Sequence, residues 1–285
     1  MKDTKAGVVG AGLMGAEIAL VFAFGGNAVV LNDHDAAALD HGMARLTTVL
    51  RKGVERGGYT TEQADAALGR IRTTTDLADF ADCSIVTEAV FEAIEVKTAV
   101  LQALDKACAA ECVIATNTST IPISTLAAVL TPARRNRVIG THYFSPVSRM
   151  PLVEVIPGFD TDSEVVDRVA ELMRGIGKTP IVVKDVAGFA VNRMLHAMMI
   201  EAVRLVEEDV ASPEALDTAC RLGLGHPIGP FALMDVVSSD LCLQVQTILQ
   251  EAYGERFRPP ALLKQRVAAG LAGGRGKRGW LSKAD

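Results

Sequence analysis

Val8-Val9-Gly10-Ala11-Gly12-Leu13-Met14-Gly15 lies close to the start of the chain. It reads as a short apolar strand, a glycine turn and the first turn of a helix. In the pattern Gly-x-Gly-x-x-Gly each glycine has its own task. Gly10 permits the tight turn, Gly12 lets a pyrophosphate approach the backbone, and Gly15 lets helix and strand pack closely. The helix N-terminus, with the amides of Leu13 and Met14, then offers free N–H groups and a partial positive charge to phosphates. A second match, Gly274-Arg275-Gly276-Lys277-Arg278-Gly279, has no apolar strand before it and no periodic helix after it, so it reads as chance. What sets the first apart is Asn27-Ala28-Val29-Val30-Leu31-Asn32-Asp33, a second apolar strand that ends in an acid. Asp33 falls about twenty residues past the glycines, where a carboxylate accepts hydrogen bonds from an adenosine ribose. With no dinucleotide to hold, the same residues would make only a tight strand-to-helix turn.

Outward from this turn, strands and helices alternate. A helix is expected over 16–25 and a longer one over 35–57, with Leu39, Met43, Leu46 and Leu50 on one face. Thr60 followed by Gln63 reads as a capping box opening another helix. Short strands are expected at 71–74, 83–88, 112–116 and 137–142, then at 151–156 and 180–183, with helices at 92–108 and 163–176. That alternation predicts an α/β fold with a parallel, doubly wound sheet, whose ligands bind beyond the carboxyl ends of the strands. Asp33, Glu88, the tract 117–120 and His142 all fall at such ends. From Val186 the strand signal fades: helices are expected over 187–208, after Ser212-Pro213, and over 233–253. The chain is therefore divided into residues 1–185 and an all-helical 186–285.

Size and composition bound the rest. At 285 residues, 49% hydrophobic and 22% charged, the chain has the profile of an ordinary soluble protein. A net charge of −5 argues against a nucleic-acid partner, which would call for a basic excess. No apolar run reaches the roughly 18 residues of a membrane span, and no leader is expected ahead of the first strand. Cys83, Cys108, Cys112, Cys220 and Cys242 are odd in number and scattered, which implies reduced thiols and a cytoplasmic location. No metal site is expected: Cys108 and Cys112 lack a Cys-x-x-Cys or histidine partner, and the histidines do not cluster.

Among residues that can do chemistry, Glu154 stands inside the apolar run Pro151-Leu152-Val153-Glu154-Val155-Ile156. A buried charge is costly unless paired. Either Glu154 lies on a solvated edge or it has a partner, and His142 at the end of the preceding strand is the candidate. A carboxylate behind a histidine fixes its tautomer and stabilises the protonated form, as a general base requires. Asn192, in the expected helix, either sits on an exposed face or serves as a donor to substrate. Ser119 either caps the following helix or presents its hydroxyl to a substrate oxygen.

Assembled in order, these motifs closely resemble the L-3-hydroxyacyl-CoA dehydrogenase family, which includes the 3-hydroxybutyryl-CoA dehydrogenases. The resemblance rests on Gly10-x-Gly12-x-Met14-Gly15, Glu88-Ala89-Val90 with Glu92 and Lys97, and Thr116-Asn117-Thr118-Ser119. It continues through His142-Tyr143-Phe144-Ser145-Pro146, Leu152 to Ile156, Gly188 to Arg193, and Gly225-His226-Pro227-Ile228-Gly229-Pro230. It implies a Rossmann-like NAD domain joined to a helical domain that forms a homodimer interface. Carried over by position, the active-site residues are Ser119, His142, Glu154 and Asn192. NAD contacts are implied at Asp33, Glu92, Lys97, Asn117, Ser119 and Ser145, the last being often Asn in single-function members. Arg275 aligns with a cofactor-contacting lysine, and Ala187 replaces a usual proline. The helix that grips the CoA nucleotide offers Arg51, Lys52 and Arg56, which leaves open an acyl group on CoA, on a carrier protein, or a free 3-hydroxy or sugar acid. A non-catalytic NAD-binding protein is the reading from another class.

Overall fold

A computed structural model describes residues 4–274 and 276–281. It divides into two compact units, Met1–Val186 and Ala187–Asp285. In chain order the first runs β1 (Lys5–Val9), α1 (Leu13–Phe24), β2 (Ala28–Asn32), α2 (Ala36–Glu55), α3 (Thr61–Gly69), β3 (Ile71–Thr74) and β4 (Ile85–Glu88). It continues α4 (Ile94–Ala107), β5 (Val113–Thr116), α5 (Ile123–Ala127), α6 (Pro132–Arg135), β6 (Val138–Tyr143), β7 (Leu152–Pro157), α7 (Ser163–Gly175) and β8 (Thr179–Val182). The sheet order is β3-β2-β1-β4-β5-β6-β7-β8. Strand order reverses between β1 and β4, so a crevice opens there beyond the strands' carboxyl ends. Residues of β4, β5 and β6 are buried throughout, as expected of strands covered on both faces.

All neighbours pair in parallel except β6 and β7, which are antiparallel. The loop between them is too short for the crossover that a parallel pair needs. The reversal decides the chemistry, because an antiparallel ladder sets residues of two strands directly opposite one another on one face. His142 of β6 is opposite Glu154 of β7.

Local signals appear where the sequence placed them. Thr60 and Gln63 form a complete capping box, and on α2 Leu39, Leu46 and Leu50 are buried with Gly42, while Met43 is half-buried. One core joins α1, the sheet and α7, with Ile18, Leu20, Phe22, Val29, Leu31, Val153 and Val169 in it.

The second unit comprises α8 (Val191–Glu207), α9 (Pro213–Gly223), α10 (Pro230–Val237), α11 (Ser239–Tyr253) and α12 (Ala261–Ala268). Met199, Val203, Phe231, Met234, Cys242, Leu263 and Trp280 form its core. Two expectations need correction. The helix expected from residue 187 starts at Val191, because Gly188 and Phe189 take positive φ angles of 70° and 43° and make a turn instead. The helix expected over 233–253 is two, bent by 102° at Ser238, whose φ is 80°. There Ser238 caps Leu241 N, and the Asp235 carboxylate accepts hydrogen bonds from Trp280 N (2.7 Å) and Leu281 N (2.8 Å). This C-terminal strap also accounts for the second glycine pattern: a Cβ on Gly279 would lie 2.0 Å from Asp235 Oδ1. Among the described residues no single helix is long and apolar enough to cross a membrane, and no cluster of metal-ligating side chains occurs.

His196, on α8, is buried, and its Nδ1 has no hydrogen-bond partner among the described residues. Burial pushes its pKa down from 6.5 to about 4. The unfolded chain therefore takes up a proton below pH ~6.5 that the folded unit refuses until pH ~4. Stability should fall as pH drops through that window, by at most about 3 kcal/mol. Urea titrations between pH 7 and 4 should show the slope in the wild type and a flatter limb in H196L.

Candidate active site

The glycine turn is built as a phosphate cradle. Gly10 has φ 97°, and its N–H donates to Asn32 O (2.8 Å), tying the turn to the end of β2. Gly12 is the N-cap of α1 without a side-chain cap, so the first amides of that helix keep their donors for a ligand. Nothing lies within 4 Å of a Cβ placed on Gly12, whereas one on Gly15 would sit 1.8 Å from the Gly10 carbonyl oxygen. The two glycines thus serve different ends, and replacing them should separate these. G15A should lower Tm and abolish NADH binding together. G12A should leave Tm nearly unchanged yet weaken NADH about tenfold or more, measured by thermal melts beside a fluorescence titration.

Asp33 lies at the end of β2, half-buried. Its Oδ2 accepts from Ala11 N (2.8 Å) and its Oδ1 from Asp35 N (3.2 Å), with His34 Nδ1 2.9 Å from Oδ1. The carboxylate that the sequence assigned to a ribose therefore also holds the glycine turn in shape. The uncapped first amides of α1 and the open space at Gly12 fit a dinucleotide.

At the far side of the crevice, three side chains form a line. Ser119 Oγ stands 3.2 Å from His142 Nε2, and His142 Nδ1 stands 2.7 Å from Glu154 Oε2. His142 is 4% exposed and Glu154 is not exposed at all, which removes the solvated-edge reading of Glu154. The Phe144 ring meets the imidazole edge at 4.6 Å. Asn117 Oδ1 accepts from Tyr143 N (2.9 Å), joining the end of β5 to the residue after His142. Ser145 is exposed on the loop that follows. That loop is held by Glu17 of α1, which accepts from Ser148 N (2.8 Å), and by Lys178, which donates to Val147 O and Met150 O.

Glu92 accepts from four donors of the tract 118–120, and Lys97 pairs with Glu88 and Glu92. Lys97 is buried, with its side chain 1% exposed. Burial alone would raise the Glu92 pKa, but the Lys97 charge and the hydrogen bonds from Thr118, Ser119 and Thr120 outweigh it and hold it below the ordinary value. Glu88, wholly buried, was visible in the sequence as a polar residue ending a strand and as part of the family motif, with no role of its own. Its partner on α4 is nine residues on, and no periodicity announces such a pairing.

The remaining sequence candidates among the described residues lie at the end of α2 and on α8. Arg51, Lys52 and Arg56 are exposed at the end of α2, Arg51 pairing with Glu55 at 3.8 Å. At 1.5 Å per residue they stand roughly 25 Å along the helix from its start. Asn192 is half-buried in the first turn of α8, in the second unit, rather than in mid-helix. Arg275 lies outside the described residues.

A Rossmann-like sheet with a glycine cradle, an acid closing β2 and a histidine–carboxylate pair at the strand ends defines an NAD-dependent oxidoreductase. The family is fixed by comparison. Residues 5–186 match the model of the 3-hydroxyacyl-CoA dehydrogenase NAD binding domain and residues 188–283 that of its C-terminal domain. The chain belongs to the 3-hydroxyacyl-CoA dehydrogenase family, and its reaction is NAD-dependent oxidation of a 3-hydroxyacyl-CoA. A probable 3-hydroxybutyryl-CoA dehydrogenase of Deinococcus radiodurans is 42% identical over 94% of this chain and 96% of its own length. The crystal structure of (S)-3-hydroxybutyryl-CoA dehydrogenase PaaH1 from Ralstonia eutropha superposes with a TM-score of 0.92 at 38% identity, covering 98% of this chain and 99% of that one. FadB2 of M. tuberculosis gives 0.94 at 36% identity, with both chains fully covered.

Proposed function

We propose that this enzyme oxidises short-chain L-3-hydroxyacyl-CoA, of the size of 3-hydroxybutyryl-CoA, with His142 as general base. The observation that carries the reading is the cross-strand pair of His142 and Glu154, with the Ser119 hydroxyl on the opposite ring nitrogen. The chain length rests on the names of the relatives in Deinococcus and Ralstonia.

An ionised carboxylate only accepts hydrogen bonds, so with Glu154 behind it the imidazole carries its proton on Nδ1. Nε2 then presents its lone pair toward the Ser119 hydroxyl. Bound NAD supplies the hydride acceptor. As the hydride leaves carbon 3, His142 Nε2 takes the proton of the 3-hydroxyl. Glu154 offsets the positive charge growing on the ring. Ser119 holds the reacting oxygen in line with Nε2 and polarises the ketone as it forms, and Asn192 keeps the substrate-binding role that the family resemblance implies. In reduction, protonated His142 returns its proton to the same oxygen.

Asp33 selects NAD over NADP by repelling a 2′-phosphate. Gly10, Gly12, Leu13, Met14 and Gly15 receive the pyrophosphate; Asn117, Ser145 and Arg275 complete the cofactor contacts, and Arg51, Lys52 and Arg56 the nucleotide end of CoA. We assign homodimerisation to the second unit, which leaves Met194, Leu222, Leu224 and Val236 exposed, Leu222 at 81%. Sedimentation equilibrium of the wild type and L222E tests this. Five free thiols, four of them buried, support a cytoplasmic location.

The deciding experiment is steady-state NADH consumption with acetoacetyl-CoA, longer 3-oxoacyl-CoA thioesters, acetoacetyl carrier protein and free 3-oxo acids. The expected order places acetoacetyl-CoA first by kcat/KM. Higher kcat/KM for the carrier-bound or free acid would overturn the substrate assignment.

A further inference from the structure

A connected set of polar groups runs from buried Glu88 on β4 and Lys97 on α4, through the partly exposed Glu92, to Ser119. Lys97 Nζ lies 2.8 and 3.1 Å from the two Glu88 oxygens, 3.3 Å from Glu92 Oε2 and 3.4 Å from Val90 O. Its three N–H donors are thereby committed within the protein. Glu88 also accepts from Val90 N and from Thr116 Oγ1, both at 2.7 Å, and Thr116 Oγ1 accepts from Thr118 N at 3.3 Å. Beyond Lys97, Glu92 Oε1 accepts from Thr118 Oγ1 (2.6 Å), Ser119 N (2.8 Å), Thr120 N (2.9 Å) and Thr120 Oγ1 (3.0 Å). Thr118 Oγ1 in turn accepts from Ile121 N at 3.0 Å.

The physical consequence follows from burial. Glu88 and Lys97 are out of solvent, so each charge is supportable only while the other is in place. Two carboxylates share one ammonium, and the second, Glu92, directs its remaining oxygen to the loop that carries Ser119. Charge-assisted hydrogen bonds to backbone N–H groups are shorter and stronger than neutral ones, and here they fix the backbone on either side of the serine. The loop has no helix or strand of its own at these residues to do so.

We propose that Glu92 and Lys97 are positioning residues for Ser119, a latch that holds the serine hydroxyl 3.2 Å from His142 Nε2, rather than acting solely as cofactor contacts. The proposal rests on the reading of Ser119 as a substrate-holding group. Lys97 reaches the site only through Glu92. Loss of the latch loosens the serine by a fraction of an ångström or more, which is enough to cost orders of magnitude in a positioned reaction.

The test uses E92Q, K97M, S119A and the double variant E92Q/S119A. Hydrogen exchange is followed over residues 116–121 of the apoenzyme, NADH affinity by fluorescence, and kcat and KM with acetoacetyl-CoA. E92Q should speed exchange in that segment and lower kcat by about 10–10²-fold, with the NADH Kd changed by less than about threefold. In the S119A background, E92Q should change kcat by less than about twofold, because its effect runs through the serine. K97M should behave like E92Q where it folds, and E92Q, at a partly exposed side chain, carries the test if it does not. Unaltered exchange with a Kd rising in step with the loss of rate would make Glu92 a cofactor contact and overturn the proposal. Additive losses in the double variant would overturn it too. S119A turning over at the wild-type rate would instead sink the reading of Ser119, and the catalytic half of the proposal with it, a result distinct from a failed latch.

Discussion

His142→Asn should lower kcat by about 10²–10⁴-fold in both directions, while NADH binding and thermal stability stay close to those of the wild type. Asparagine keeps a hydrogen-bonding group near Ser119 but cannot accept and return a proton at the operating pH. Because His142 lies at the end of β6 and the glycine cradle follows β1, the loss should be confined to the chemical step. A fluorescence titration with NADH beside steady-state kinetics checks this. A kcat within threefold of the wild type would remove His142 from the proton path.

Glu154→Gln should cost about 10²–10⁴-fold in kcat, for a reason separable from the first. The amide keeps the volume of the carboxylate in a position with no solvent exposure, so the unit stays folded. What it loses is charge. An amide cannot offset the positive imidazole that forms during oxidation, and its NH2 can donate to Nδ1 and drive the proton to Nε2, the wrong tautomer for a base. Kinetics of H142N, E154Q and the double variant should show strong non-additivity, since the two side chains act as one unit at 2.7 Å. Independent, additive losses would refute the pairing. Circular dichroism melts of E154Q guard against a loss of fold being read as a loss of chemistry.

Much of the arrangement was legible because its signals are local. The glycine turn, Asp33 at the close of the second strand, the Thr60 capping box and the strand–helix alternation are each specified by residues a few positions apart. The pairing of His142 with Glu154 was legible for a less common reason. They lie on successive strands, and a lone carboxylate in an apolar run demands a partner nearby in the chain. Helix boundaries in the second unit were not legible where backbone conformation overrode apolar pattern: at Gly188 and Phe189 ahead of α8, and at Ser238, where the Asp235 contacts hold a sharp bend that Leu233–Tyr253 does not advertise. That Lys97 is buried against Glu88 was not legible either, because exposure is a property of the fold and not of the residue type.

Taken alone, the sequence predicted a dinucleotide at Gly10–Gly15 and a doubly wound sheet, both from spacing that short-range sterics and hydrogen bonding enforce, while Ser119, His142 and Glu154 came together as candidate site residues through the family resemblance. Tertiary structure alone decided the exact register in which Glu154 lies opposite His142, that Asp33 braces the glycine turn through Ala11 N, and that buried Glu88 and Lys97 join the partly exposed Glu92 in one network reaching the Ser119 loop. The reason is that register and burial depend on how distant strands and helices pack, and the partner of a buried charge is whichever opposite charge that packing brings within reach.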